Sequence, residues 1–180
     1  NRNHYAGSGG TSYTRHLPQA GFDGTHVRTR DLWGFATAQI FSDVSPAMHE
    51  EFALRHEGRY LQLFGLNCYG CCEPLHHKLD AVFRHVPRLR RLSVSAWADI
   101  DVCADALKQR CIFSWKPNPA ALAGEHWDPP AIRANLRDVC SRTRGNVIEM
   151  VMKDTHTVRH EPQRLHEWVR IAREVAEDFA

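Results

Sequence analysis

The sequence predicts an α/β fold, and within that class a (β/α)8 TIM-type barrel of which this chain supplies about the C-terminal half, roughly four to five βα units. Three observations lead there. From Leu66 onward, short apolar runs alternate with stretches of helical periodicity. Each run has one apolar parity and one mixed or polar parity. The chain has 180 residues, fewer than the ~250 of a whole barrel.

Residues 1–24 are rich in Gly, Ser, Thr and Arg and read as a loop-rich N-terminal segment. GSGG at Gly7–Gly10 lacks the flanking strand, Lys and spacing of a phosphate loop, so a plain turn is expected. Residues 25–180 read as the barrel part, opening with a strand in THVRTRD, Thr25 to Asp31. Ser45-Pro46 places an N-cap ahead of a Pro at the first helical position. Glu50 and Glu51 suit the early turns of that helix, and Gly65 suits its end.

Four strand–helix units follow. LNCY precedes a helix from Pro74 to His85, with Leu75, Leu79, Val82 and Phe83 on one face. RLSVSA precedes a helix from Ile100 to Lys108. CIFSWK precedes a helix from Pro130 to Arg142, aligned on Ile132, Leu136, Val139 and Cys140. NVIEMVM precedes a helix from Pro162 to Phe179, whose stripe is Leu165, Trp168, Val169, Ala172, Val175, Ala176 and Phe179. Such alternation implies parallel strands joined by right-handed crossovers.

Parity then separates a barrel from an open doubly wound sheet, which should be apolar on both faces. Leu92, Val94 and Ala96 oppose Ser93, Ser95 and Trp97. Cys111, Phe113 and Trp115 oppose Ile112, Ser114 and Lys116. Ile148, Met150 and Met152 oppose Val147, Glu149, Val151 and Lys153, and Leu66 and Cys68 oppose Asn67 and Tyr69. On this reading the apolar parity faces the helices. Asn67, Ser95, Lys116 and Lys153 converge on a polar lumen, and Cys68 faces outward. The chain begins with Asn1 rather than Met, and further chain is expected to complete the barrel.

A net charge of +2 gives no reason to expect a nucleic-acid or membrane surface. The sequence has no run of about 18 apolar residues. Its six cysteines do not form a spaced framework, so a reduced, cytoplasmic protein is expected. Cys103, Cys111 and Cys140 sit among apolar neighbours and read as packing residues.

The order of motifs resembles the uroporphyrinogen decarboxylase superfamily over about residues 25–180. The carrying stretches are DLWGFATAQIFSDVSPAMHEEF, NCYGCCEP, SVSAWADIDVCADAL, CIFSWKPNPAAL and KDTHTVRHEPQRLHEWVRIAREV. The resemblance implies a barrel enzyme acting on an anionic small molecule, by methyl transfer linked to a thiol or corrinoid, or by decarboxylation. It also implies zinc as a cofactor for the methyltransferase branch, and a corrinoid protein as a partner. A homodimer is compatible with it. In that branch the His and Cys of a His-x-Cys-Gly strand end bind zinc. Aligned on Gly70, those positions are Asn67 and Tyr69 here, neither a good zinc ligand. The resemblance also marks Asp31 as an acidic residue near substrate.

The residues themselves add candidates. Cys71 and Cys72 follow Gly70 at the catalytic end of a strand, where thiolates suit zinc, redox or nucleophilic chemistry, or only a loop. Glu73 fits the start of a helix, and His76 and His77 lie one turn further on. Lys116 and Lys153 each close a strand on the lumen parity, where a barrel gathers its reacting groups. Two lysines there suit a carboxylate or phosphate, or a Schiff-base nucleophile; a salt bridge to Asp154 or Glu149 is the plainer role. Asn118 orients a ligand or caps a turn, Trp97 walls a pocket or packs, and Asp31, Glu149 and Asp154 are candidates to move protons. His156 and Arg159 can reach an anion from the last loop. The rival readings are a non-catalytic barrel that binds a ligand or corrinoid partner, and a redox protein using Cys71 and Cys72.

Overall fold

A computed structural model describes the backbone of residues 4–7 and 10–180, and side chains from Thr14 onward. The elements in order are β1 (His4–Gly7), β2 (Gly10–Tyr13), β3 (Trp33–Ala36), α1 (Pro46–His49), a π-helical turn Glu50–Leu54, α2 (Arg55–Leu61), β4 (Leu66–Tyr69), α3 (Leu79–His85), β5 (Leu89–Val94), α4 (Ile100–Leu107), β6 (Ile112–Trp115), α5 (Ala120–Ala123), α6 (Pro129–Arg142), β7 (Ile148–Met150) and α7 (Gln163–Asp178). β1 and β2 form an antiparallel hairpin inside the stretch expected to be loop. Ser8 and Gly9 of GSGG lie outside the described residues.

The main sheet has five strands, all parallel, in the order β3-β4-β5-β6-β7. Neighbours in the sheet are therefore neighbours in the chain. Right-handed crossovers between sequential parallel strands place every connecting helix on one face. Register fixes what that face carries. Tyr69, Leu92, Phe113 and Ile148 stand in one row, and Val94, Trp115 and Met150 in the next. All seven belong to, or pack against, the apolar core shared with the helices. The opposite face carries Phe35, Cys68, Arg91 and Ile112 in one row, then Ser93, Ser114 and Glu149.

Helix ends follow the sequence closely. The Ser45 hydroxyl accepts from the Met48 amide, Asp99 from Asp101 and Val102, and Asp128 from Ala131. The π turn places Glu50 against α3, where it bonds Arg84 and His85 at 2.7 Å each. Gly58 lets α2 approach the end of α3, since a Cβ there would stand 2.5 Å from the His85 carbonyl oxygen.

Several expectations need correction. Thr25 to Asp31 is not a strand. Its end is a 3-10 turn, Thr29–Asp31, and the strand is β3, Trp33–Ala36, which begins after Leu32. The Asp31 carboxylate causes the turn by accepting from the Arg28 and Gln19 amides and pairing with the Arg28 guanidinium at 2.7 Å. Asp31 thus lies before β3, at the amino end of the sheet, and cannot join residues at the carboxyl ends. The expected helix from Pro74 begins only at Leu79. On α7 the buried stripe runs through Trp168, Ile171, Ala172 and Val175, leaving Val169 exposed.

The parity expected for β5, β6 and β7 holds, but that of β4 is inverted. Asn67 turns toward the helices, where its amide donates to the carbonyls of Leu61 and Pro87. The Tyr69 hydroxyl sits between His49 Nε2 at 2.9 Å and Glu57 Oε2 at 2.7 Å. Partners on α1 and α2 make polar side chains welcome in this layer. Cys68 takes the polar face instead, in register with Phe35 and Arg91. Asn67 and Tyr69, expected on the lumen parity as substrate-binding residues, thus lie in the helix layer, away from the polar face.

Candidate functional site

The carboxyl ends of β4, β5, β6 and β7 bring together the turn after Gly70, Ser95 with Trp97, Lys116, and Lys153 with Asp154. Gly70 makes the first of these ends possible. Its φ of +89° is left-handed, and a Cβ there would stand 2.6 Å from the Leu75 side chain. The chain leaves β4 and is pinned at once. The Cys71 amide donates to Glu73 Oε2 at 2.8 Å, and the Ser93 hydroxyl donates to the Cys71 carbonyl at 2.7 Å. Thr37, just beyond β3, holds the other Glu73 oxygen at 2.8 Å. Buried Glu73 thus ties the ends of β3 and β4 together, and Ser93 adds β5.

The two thiol sulfurs that result lie 3.5 Å apart. The Lys153 ammonium reaches both, at 3.1 Å from Cys71 and 3.2 Å from Cys72. The Cys72 thiol donates to Asp154 Oδ2 at 3.0 Å, and Asp154 stands 3.5 Å from the Lys153 nitrogen. Burial, then the bond to Asp154, pushes the Cys72 thiol up to about 12. The same bond holds the Asp154 carboxyl below its ordinary range, so it stays ionised. Burial works against the charge on Lys153, but the two sulfurs together raise its pKa above the usual lysine value.

Lys116 differs. Its side chain ends on the polar face, donating to the Ser114 hydroxyl, and the residue is 5% exposed. Burial, and next the Arg91 guanidinium, push it down to about 8. Arg91 is itself buried and pairs with Glu149. A cavity of about 50 Å3 joins Lys116 and Lys153 with Cys72, Ser95, Trp97 and Asp154. Trp97 is 70% exposed and forms its outer wall.

The other expected residues separate from this cluster. Glu149 lies a layer deeper in the sheet, committed to Arg91. Asn118 accepts from the Ala120 amide at 2.9 Å, capping the turn into α5, and lines a separate cleft of about 350 Å3 beside Met152 and Trp168. His156 and Arg159 are exposed in the last loop. The His76 and His77 rings contact one another at 3.9 Å. Sequence reasoning undervalued Glu73 and missed Ser93, Ser114 and Arg91. The serines and the arginine share the lysines' parity, which was the available signal.

Zinc does not fit the two thiols as they stand. The Lys153 ammonium occupies the place a metal cation would take between the sulfurs. Among the described residues, no three His, Cys, Asp or Glu side chains converge as a ligand set. Cys71 and Cys72, expected as metal ligands, stand here in a lysine–dithiol cluster.

No protein-family model, curated protein or solved structure matches the chain. Among the described residues, no helix is long and apolar enough to cross a membrane.

Proposed function

We propose that the chain is the C-terminal part of a (β/α)8-type barrel enzyme resembling the uroporphyrinogen decarboxylase superfamily, and that it cleaves a small carboxylate by decarboxylation or a related lyase reaction. Sequential strand order with helices on one face and polar side chains on the other supports the barrel reading. The observation that carries the function is the pair of amines, Lys116 and Lys153, in one cavity at the carboxyl ends of adjacent strands.

Lys153 is the anchoring cation. It has three N–H donors; two are directed at sulfur, and a ligand carboxylate competes with Asp154 for the third. Ser95 and the Trp97 wall define where the rest of the ligand lies. Loss of carbon dioxide leaves an electron pair on carbon, which a neighbouring positive charge stabilises. The buried Lys116 is placed to provide that charge.

The test is carbon dioxide release from a panel of small carboxylic and oxo acids. Turnover abolished by Lys116→Met and impaired by Lys153→Met supports the reading. Tight binding without turnover would favour the non-catalytic barrel. Methyl transfer onto the Cys71 thiol, whose sulfur contacts the Lys153 ammonium, is the second reading. A methylated Cys71 after incubation with a methyl donor would establish it.

A further inference from the structure

Only four lysines occur in the chain, Lys78, Lys108, Lys116 and Lys153. Elsewhere its cationic side chains are mostly arginine. Two of the four nevertheless line one small cavity. Arginine binds anions at least as well as lysine, but its guanidinium is never deprotonated and is no nucleophile. Choosing lysine at both positions suits chemistry that an arginine cannot perform.

The two amines are not equivalent. Lys153 is surrounded by acceptors: two sulfurs and a carboxylate. Lys116 has the opposite surroundings. On its face stand the cations Arg91 and Lys153, with Glu149 already paired to Arg91. Its near hydrogen-bond partners are neutral, the Ser114 hydroxyl at its tip and the Ser114 carbonyl at 3.4 Å. Cys68, on the same face, adds a thiol rather than a second acid. Burial among cations favours a neutral amine, and a neutral amine attacks carbonyl carbon. Neighbouring parallel strands lie about 4.8 Å apart, so amines at the ends of β6 and β7 can engage one short ligand together.

We propose that Lys116 is a Schiff-base nucleophile, and that the ligand of this site is a short 3-oxo acid whose carboxylate is held by Lys153 and whose keto carbon bonds to Lys116. The proposal rests on the decarboxylase reading and names its substrate class. The neutral Lys116 amine adds to the keto carbon. The carbonyl oxygen leaves as water, taking both amine protons, and a C=N bond remains. This imine takes a proton from solvent. The bond from the carboxylate carbon to C2 then breaks, carbon dioxide leaves, and its electron pair forms C2=C3 while the C=N pair settles on nitrogen. C2 takes up a proton, and water hydrolyses the imine to a ketone and free Lys116. The sum is 3-oxo carboxylate plus one proton giving ketone plus carbon dioxide, with no oxidant or reductant. A cavity of about 50 Å3 admits only the reacting end; the remainder extends past Trp97.

The experiment incubates the whole chain with acetoacetate and sodium borohydride, which reduces an imine to a stable secondary amine, and maps the adduct by peptide mass spectrometry. The expected result is a single adduct on Lys116, not on Lys78 or Lys108. It should fall to background in Lys116→Arg and several-fold in Lys153→Met. Trapping on the wild-type chain needs no variant to fold. Absence of an adduct, or one spread over the exposed lysine Lys108 with Lys116 unmodified, overturns the inference. Carbon dioxide release without trapping would leave the decarboxylase reading standing and sink this one. Trapping without release would do the reverse.

Discussion

Two regions of the molecule bury polar side chains on either side of the same sheet, and they end differently. In the helix layer, the Tyr69 hydroxyl links His49 Nε2 to Glu57 and the Asn67 amide ties down two backbone carbonyls, although His49 Nδ1 and Asn67 Oδ1 find no partner among the described residues. On the other side, among the described residues Lys116 bonds only to Ser114, and Lys153 clamps two thiols. A buried polar group with matched partners holds structure together. A buried amine among cations carries unspent reactivity. Burial alone does not distinguish the two regions; the partners do.

The comparison is broken most sharply by substitutions on each side. Lys116→Met should remove the reactive amine altogether, cutting turnover by about 10^3-fold or more, in the range seen when a proton-transfer or nucleophilic group is lost. Steady-state rates of carbon dioxide release measure this, and the melting temperature should stay close to wild type. Tyr69→Phe should do the opposite. It leaves His49 and Glu57 without their shared hydroxyl and should cost about 1–3 kcal/mol of stability in urea unfolding, with turnover per folded molecule unchanged. Lys153→Met should weaken carboxylate binding by roughly 10- to 100-fold, as for a lost hydrogen bond to a charged group. Isothermal titration checks it.

Acid should probe the helix layer. Burial, then Lys78, lowers His49 from 6.5 to about 4, so the fold keeps it neutral while the unfolded chain takes up a proton near 6.5. That contribution to stability is complete above pH 6.5 and is lost as pH falls toward 4. Burial raises Glu57, which opposes the loss. The His49→Gln variant should therefore show a flatter stability profile between those pH values. The smallest effect expected is at the amino end. Asp31→Asn removes the Arg28 ion pair and should cost stability without altering ligand binding, because Asp31 lies before β3 rather than after it.

Much of this contrast was legible in the sequence, and the rest failed for identifiable reasons. Strands β4 to β7 and helices α4, α6 and α7 fall close to where apolar runs place them, and the Ser45 cap acts locally as expected, whereas the caps at Asp99 and Asp128 were not read and α3 starts only at Leu79. Parity put Lys116 and Lys153 on one face for the same local reason. LNCY misled because Tyr69 is met by His49 and Glu57 from α1 and α2 and Asn67 by the carbonyls of Leu61 and Pro87, pairings that local alternation does not encode. Asp31 misled because its turn depends on Arg28 and Gln19. The α7 stripe rotated because Ile171 and Val169 both fit a 3.6-residue period, and only packing chooses between them. The thiols were visible, but the Lys153 ammonium between them comes from 81 and 82 positions downstream.

The most direct measurement is a carbon-13 NMR pH titration of the chain labelled at the lysine ε-carbons, which gives four resonances. One, absent from Lys116→Met, should titrate near pH 8, and another, absent from Lys153→Met, should titrate above the ordinary lysine range. Four lysines titrating together near 10.4, the value of a solvated amine, would contradict the account.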